Sequence, residues 1–204
     1  MMLTSHQELR DSFPFEWEVF DIASKPYVSQ YRYVECCRKN RGGEDMWKNC
    51  VENAYEYISL HDCVVNSVEA YDDVLSLTLD DGFWMLADSK YNSCGETVRT
   101  DKSKINFIEF DEQMSVLYLF KRHYIFGKRL CTTRKKVNLK KAYEKINKGE
   151  WEIEFNEQYH SFHRTLFFGA VTTKKKIWEF EFQMVIDCDK IEYCWNNICP
   201  DRKW

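Results

Sequence analysis

YISLHDCVVNSVEAYDDVLSLTLDDGFWML, Tyr57–Leu86, holds the period-two pattern on which the fold assignment turns. Leu75, Leu77 and Leu79 alternate with Ser76 and Thr78, the spacing of a strand with one apolar face. Asp80-Asp81-Gly82 and a second apolar run follow, and Asp-Gly between apolar runs predicts a hairpin. The preceding CVVNSVEAY reads as another strand joined through Asp72-Asp73, so three antiparallel strands in a meander are expected.

Upstream, Gly42 and Gly43 break the chain before GEDMWKNCVENAYEYI, where Trp47, Cys50, Val51, Ala54, Tyr55 and Ile58 recur at offsets 3, 4, 7, 8 and 11. That apolar stripe predicts an amphipathic helix, with Glu44 and Asp45 at its electropositive start. Downstream, KINFIEF and SVLYLF, separated by Asp111-Glu112-Gln113, predict a further hairpin, and RHYIFGKRLCT extends its second strand or adds another. VNLKKAYEKINKG predicts a second helix with the stripe Leu139, Ala142, Tyr143 and Ile146, capped by Asn138 and ended by Gly149. WEIEFNEQY alternates as a strand with one wet face. TLFFGAVTTKKKIWEFEFQMVI reads as a long hairpin turning at Thr173-Lys174-Lys175, with Trp178, Phe180, Phe182, Met184 and Ile186 inward. KIEYCW is a last strand and NNICPDRKW a tail.

The expected fold is therefore α+β and mainly antiparallel: a sandwich or partly open barrel of eight to ten strands with two short flanking helices. At 204 residues and 44% hydrophobic content a single domain over 1–204 is expected, with 1–41 an irregular N-terminal cover and 42–204 the core. No run of about 18 apolar residues is present, which excludes a transmembrane helix and predicts no membrane partner. MMLTSHQELRDSF lacks the basic start and apolar core of a secretory signal, which predicts a cytoplasmic protein. The nine cysteines are odd in number and follow no disulfide framework, so they read as reduced thiols, mostly small buried hydrophobes.

Charge is uneven along the chain. From Glu44 to Asp88 there are eleven acids and one base, Lys48; from Gln113 to Tyr143 there are nine bases and no acid. The plainer reading is that the two segments lie together and neutralise one another. The functional reading makes one of them a docking surface for an oppositely charged partner.

Chemistry-bearing motifs are sparse. In an opened strand His61 and Cys63 share one face and Asp62 the other, so a Cys-His dyad, and with it a small hydrolase, is geometrically conceivable. The plainer reading has His61 or Asp62 bonding backbone groups at a helix-to-strand junction. His160 and His163, spaced H-x-x-H, could ligate a metal with a third donor, but no C-x-x-C accompanies them. No glycine-rich phosphate loop and no G-x-S-x-G occurs, and no cofactor is implied. The basic segment 121–136, with Tyr124 and Phe126, could bind nucleic acid, although the net charge of −4 opposes general affinity for it.

LHDCVVNSVEAYDDVLSLTLDDG resembles small bacterial β-rich proteins in which a Leu/Phe-His-Asp-Ser/Cys-x-Val/Ile opening precedes a hairpin with an aliphatic strand. Some of these are similar to immunity proteins of polymorphic toxin systems. The resemblance covers roughly Tyr57–Leu86 and implies a cytosolic protein that blocks a cognate toxin without catalysis of its own. The expected function is thus a non-catalytic binding or inhibitory protein with a protein partner, in which Asp72, Asp73, Asp80 and Asp81, as turn carboxylates, dock on a basic toxin domain.

Overall fold

The structure, a computed structural model, describes residues 47–204, which divide into fifteen strands and one helix. The first half supplies β1 (Asn49–Glu52), β2 (Ile58–Ser59), β3 (Cys63–Val65), β4 (Ser67–Tyr71), β5 (Val74–Leu79), β6 (Trp84–Met85), β7 (Val98–Thr100) and β8 (Ser103–Ile108). The second supplies β9 (Asp111–Ile125), β10 (Lys128–Val137), α1 (Leu139–Asn147), β11 (Trp151–Ser161), β12 (Arg164–Thr173), β13 (Lys176–Asp187), β14 (Lys190–Trp195) and β15 (Ile198–Lys203). They form three antiparallel sheets, none closed: a five-stranded sheet ordered β1-β14-β8-β5-β4, a six-stranded sheet ordered β10-β9-β13-β12-β11-β3, and a four-stranded sheet ordered β15-β7-β6-β2. The irregular cover expected over 1–41 lies outside the described residues. Among them, no helix is long and apolar enough to cross a membrane.

Local turn chemistry builds what it was expected to build at two places. Asp72 takes a left-handed backbone (φ 52°) and lets Tyr71 pair with Val74, closing β4 on β5. Lys174 and Lys175 turn β12 into β13, where Thr173 pairs with Lys176. The helix expected over 137–149 is α1. Asn138 accepts a bond from the Lys141 amide at 3.1 Å, Gly149 ends the helix with φ 60°, and Leu139, Ala142 and Ile146 are buried.

Elsewhere tertiary pairing overrides the local signal. The helix expected from Glu44 to Ile58 does not form over its described part. Cys50 and Val51 instead pair with Cys194 and Tyr193, and Asn53, left-handed at φ 51°, bonds Ile191 through both its amide and its side-chain oxygen. Cys50 and Cys194 form a disulfide, which corrects the reading of all cysteines as reduced thiols. Asp80-Asp81-Gly82 is a corner instead of a hairpin: β5 pairs with β4 and β8, whereas β6 enters the four-stranded sheet. Gly82 (φ 71°) makes this corner possible, because a Cβ there would run into the carbonyl oxygens of Thr100 and Asp101.

CVVNSVEAY likewise splits at Asn66, β3 joining β11 and β4 joining β5, so the expected meander reduces to one hairpin. KINFIEF and SVLYLF also part company, since Glu109 (φ 55°) redirects the chain from the five-stranded to the six-stranded sheet. Trp178, expected inward, is 62% exposed on a left-handed backbone, while Phe182, Met184 and Ile186 are buried as expected. The expected tail contains β15.

The core lies between the five- and six-stranded sheets. Leu75, Leu77, Ile105, Phe107 and Tyr193 meet Leu117, Phe155, Phe167, Phe182 and Met184, and α1 contributes Ala142 and Ile146 at one side. Phe107 meets Phe167 edge to face at 6.0 Å between ring centroids. β5 is buried on both faces, so Ser76 is not the solvent-facing residue its alternation suggests. Its hydroxyl donates to Asn106 Oδ1 at 2.7 Å, and Asn106 donates to Glu192 Oε2 at 2.8 Å.

Candidate functional site

The His61-Asp62-Cys63 triplet is a tight turn between β2 and β3, with no helix before it among the described residues. Asp62 is left-handed (φ 56°), its amide donates to the Phe155 carbonyl at 2.8 Å, and the Cys63 amide donates back to Leu60 at 3.0 Å. His61 Nδ1 bonds the Asn156 carbonyl at 2.8 Å, which places the ring proton on that nitrogen. His61 thus bonds a backbone group, at a strand-to-strand junction where a helix-to-strand one was expected.

Around the turn stands a ladder of planar groups that the sequence did not single out. The His61 ring stacks on Trp204 at 5.2 Å, Trp204 leans on Trp84 at 5.1 Å, and the Arg99 guanidinium lies over Trp84 at 4.6 Å. Trp84 Nε1 donates to the His61 carbonyl at 2.9 Å, and Arg99 Nη2 donates to the Asp62 carbonyl at 2.6 Å. The ladder ties β6, β7 and the residue after β15 to the start of β3. Cys63 is fully buried, and burial pushes its thiol up to about 11 despite the nearby Arg99. A sealed, protonated thiol is not a nucleophile at neutral pH. What the arrangement does chemically is hold backbone.

The two late histidines do not converge. His160 stacks on Tyr55 at 4.3 Å and bonds Thr165 Oγ1 at 3.1 Å, and burial pushes it down to about 4. His163 stands in the β11–β12 turn with Nδ1 3.1 Å from Asp189. Among the described residues, the one set of three metal-capable donors within 4.8 Å of one another is Cys50, Glu192 and Cys194, and its two sulfurs are bonded to each other.

Charge is what the fold organises. Asp72 and Asp73 sit at one end of β5 and Asp80 and Asp81 at the other, roughly 20 Å away at ~3.3 Å per residue. Asp80 pairs with Lys102 and Asp81 with Arg202, each at 3.2 Å, whereas among the described residues Asp72 and Asp73 have no ion pair. Glu109 and Asp189 join Asp73 at its end. A hydrogen bond to Asp189 raises the Glu109 carboxyl, burial and the charges of Asp189 and Asp73 act the same way, and Lys190 opposes them. Glu109 and Asp189 were not singled out in the sequence, because only the sheet crossings bring them to Asp73.

Basic residues gather at the opposite end of the six-stranded sheet. The last pair shared by β9 and β13 is Phe120–Glu181, and beyond it β9 pairs only with β10 and β13 only with β12, while β12 keeps β11 as far as Trp151–Thr173. Lys121 pairs with Glu179 at 3.4 Å and Arg122 with Glu181, but Lys128, Arg129, Lys135, Lys136, Lys174, Lys175 and Lys176 have no ion pair among the described residues. No ion pair there joins an acid of the 44–88 segment to a base of the 113–143 segment, so the expected mutual neutralisation does not take place through direct pairs. Comparison of the chain with family models, curated proteins and solved structures finds no match in any of the three.

Proposed function

We infer that this chain is a non-catalytic binding protein whose acidic end docks on a basic surface of a protein partner, in the manner of an immunity protein covering a toxin. The observation that carries this reading is the crowding of Asp73, Glu109 and Asp189, which raises the Glu109 carboxyl. Like charges held together disfavour the free state, and a cationic partner relieves that repulsion on binding. Asp72 and Asp73 make the contacts, with Glu109 and Asp189 beside them. Asp80 and Asp81 contribute less, since Lys102 and Arg202 already answer their charge. A cytoplasmic location belongs to the same proposal.

The test is capture of the partner from the native host by the wild-type chain and by D72K/D73K, with D80K/D81K alongside. The first variant is expected to lose the complex and the second to retain most of it, and rising salt is expected to weaken wild-type binding. Retrieval of no protein, or a complex indifferent to the first reversal, counts against the reading.

A further inference from the structure

At the end of the six-stranded sheet remote from Asp73, two hairpins project side by side past their last shared pair. In the β9–β10 turn both Phe126 (φ 49°) and Gly127 (φ 75°) are left-handed, and Phe126 is 100% exposed. A bulky side chain in that conformation is strained, and its ring gains no contact with the fold in return. Tyr124, Ile125 and Leu130 beside it are also more than half exposed. On the neighbouring β12–β13 hairpin, Ile177 is 73% exposed, and Trp178 lies on the sheet surface with its Nε1 bonded to Glu154. Lys128 and Arg129 follow the first tip, whereas Lys174 and Lys175 form the turn of the second, with Lys176 between them and Ile177.

We propose that these two tips form a docking surface for an anionic phospholipid membrane, with Phe126, Ile125 and Ile177 entering the headgroup–acyl boundary and the flanking lysines and Arg129 meeting lipid phosphates. At the β9–β10 tip Phe126 stands at the extremity with Lys128 and Arg129 immediately behind it, and at the β12–β13 tip Lys174 and Lys175 form the turn beside exposed Ile177, so apolar side chains and unpaired bases are presented together as a bilayer surface requires. Trp178, apolar in body and polar at its edge, suits the same depth. Single-stranded nucleic acid fits less well, because it asks for a groove and stacking platforms, whereas these tips are convex and half their apolar side chains are aliphatic. The expectation of no membrane partner rested on spanning length, and surface contact needs no spanning segment. The proposal stands on different residues from the acidic end, so either can fail alone.

The test sediments the full chain with vesicles of phosphatidylcholine alone and of phosphatidylcholine mixed with phosphatidylserine. Sedimentation is expected only with the second, weakened about tenfold or more by F126S/I177S and, separately, by K174S/K175S/K176S. All five side chains are exposed, so thermal midpoints of the variants should match wild type. Equal behaviour with both vesicles, no sedimentation with either, or anionic binding unaffected by F126S/I177S overturns the proposal. A single-stranded oligonucleotide that binds the tips and strips the chain from vesicles also overturns it, in favour of nucleic acid.

Discussion

Arg99 lies flat over Trp84, 4.6 Å from guanidinium carbon to ring centroid, while its Nη2 donates to the Asp62 carbonyl at 2.6 Å. One planar cation thus reads an aromatic face and a backbone oxygen at once, which joins the four-stranded sheet to the turn that opens β3. Its Nε is buried with no hydrogen-bond partner among the described residues.

Removing this cation is expected to loosen the junction without touching either charged end. Arg99→Ala should cost about 1–3 kcal/mol through the lost bond to Asp62 and the lost stacking, measured by urea unfolding. Arg99→Lys should recover little of it, because an ammonium cannot stack and donate in one plane. Wild-type stability in Arg99→Ala would remove the ladder from the account of the fold.

His160 makes stability depend on acid. Burial pushes its folded pKa down to about 4 from an ordinary 6.5, so the unfolded chain binds the proton more readily. Its contribution is complete above pH 6.5 and is lost as pH falls towards 4. Discounted for partial exposure, the loss should be about 1–2 kcal/mol. His160→Phe, which keeps a ring on Tyr55, should flatten this part of the profile in denaturation series between pH 7 and pH 4; an unchanged slope would assign the acid sensitivity elsewhere.

Two glycines should respond differently to a methyl group. Gly82→Ala meets the Thr100 and Asp101 carbonyls as well as an unfavourable φ, and should cost about 2 kcal/mol or more. Gly127→Ala opens into free space and should cost about 1 kcal/mol from φ alone. Thermal unfolding of the pair checks the ranking.

Thiol labelling should sort the cysteines by place. Exposed Cys131 is expected to react at once with a disulfide reagent, and buried Cys63 and Cys188, whose thiols are pushed up to about 11 and about 12, only on unfolding. Cys50 and Cys194 should be silent until reduced. Reduction should then destabilise by about 2–5 kcal/mol, because the bond closes a separation of 144 residues.

What could be read from the chain was whatever its neighbours along the chain decide. Asp72-Asp73, Asn138 and Gly149 act within a few residues of themselves, and each sits where local chemistry puts it. Asp80-Asp81-Gly82 carries the same turn chemistry, yet its outcome depends on Thr100 and Asp101, which crowd Gly82 from another part of the chain. The stripe from Trp47 to Ile58 satisfies a helical period by coincidence, since Cys50 is placed by Cys194 and Asn53 by Ile191. Asp72 and Asp80, grouped in the sequence as turn carboxylates, stand at opposite ends of β5. Phe126 could face a core or solvent on pattern alone, and only the extension of β9 beyond its partner β13 decides it.

The side chain of Asn147, at the end of α1, donates to the Val68 carbonyl and accepts from the Val68 amide, both at 2.7 Å. β4 is the outer strand of its sheet, so this amide occupies part of the rim that a second molecule would need in order to add a strand. At the far rim of the six-stranded sheet, β10 is lined with lysine and arginine, whose mutual repulsion discourages the same event. A single carboxamide and a row of cations thereby help a protein made mostly of strands resist fibril growth, and Asn147→Leu would be the place where that resistance first gives way.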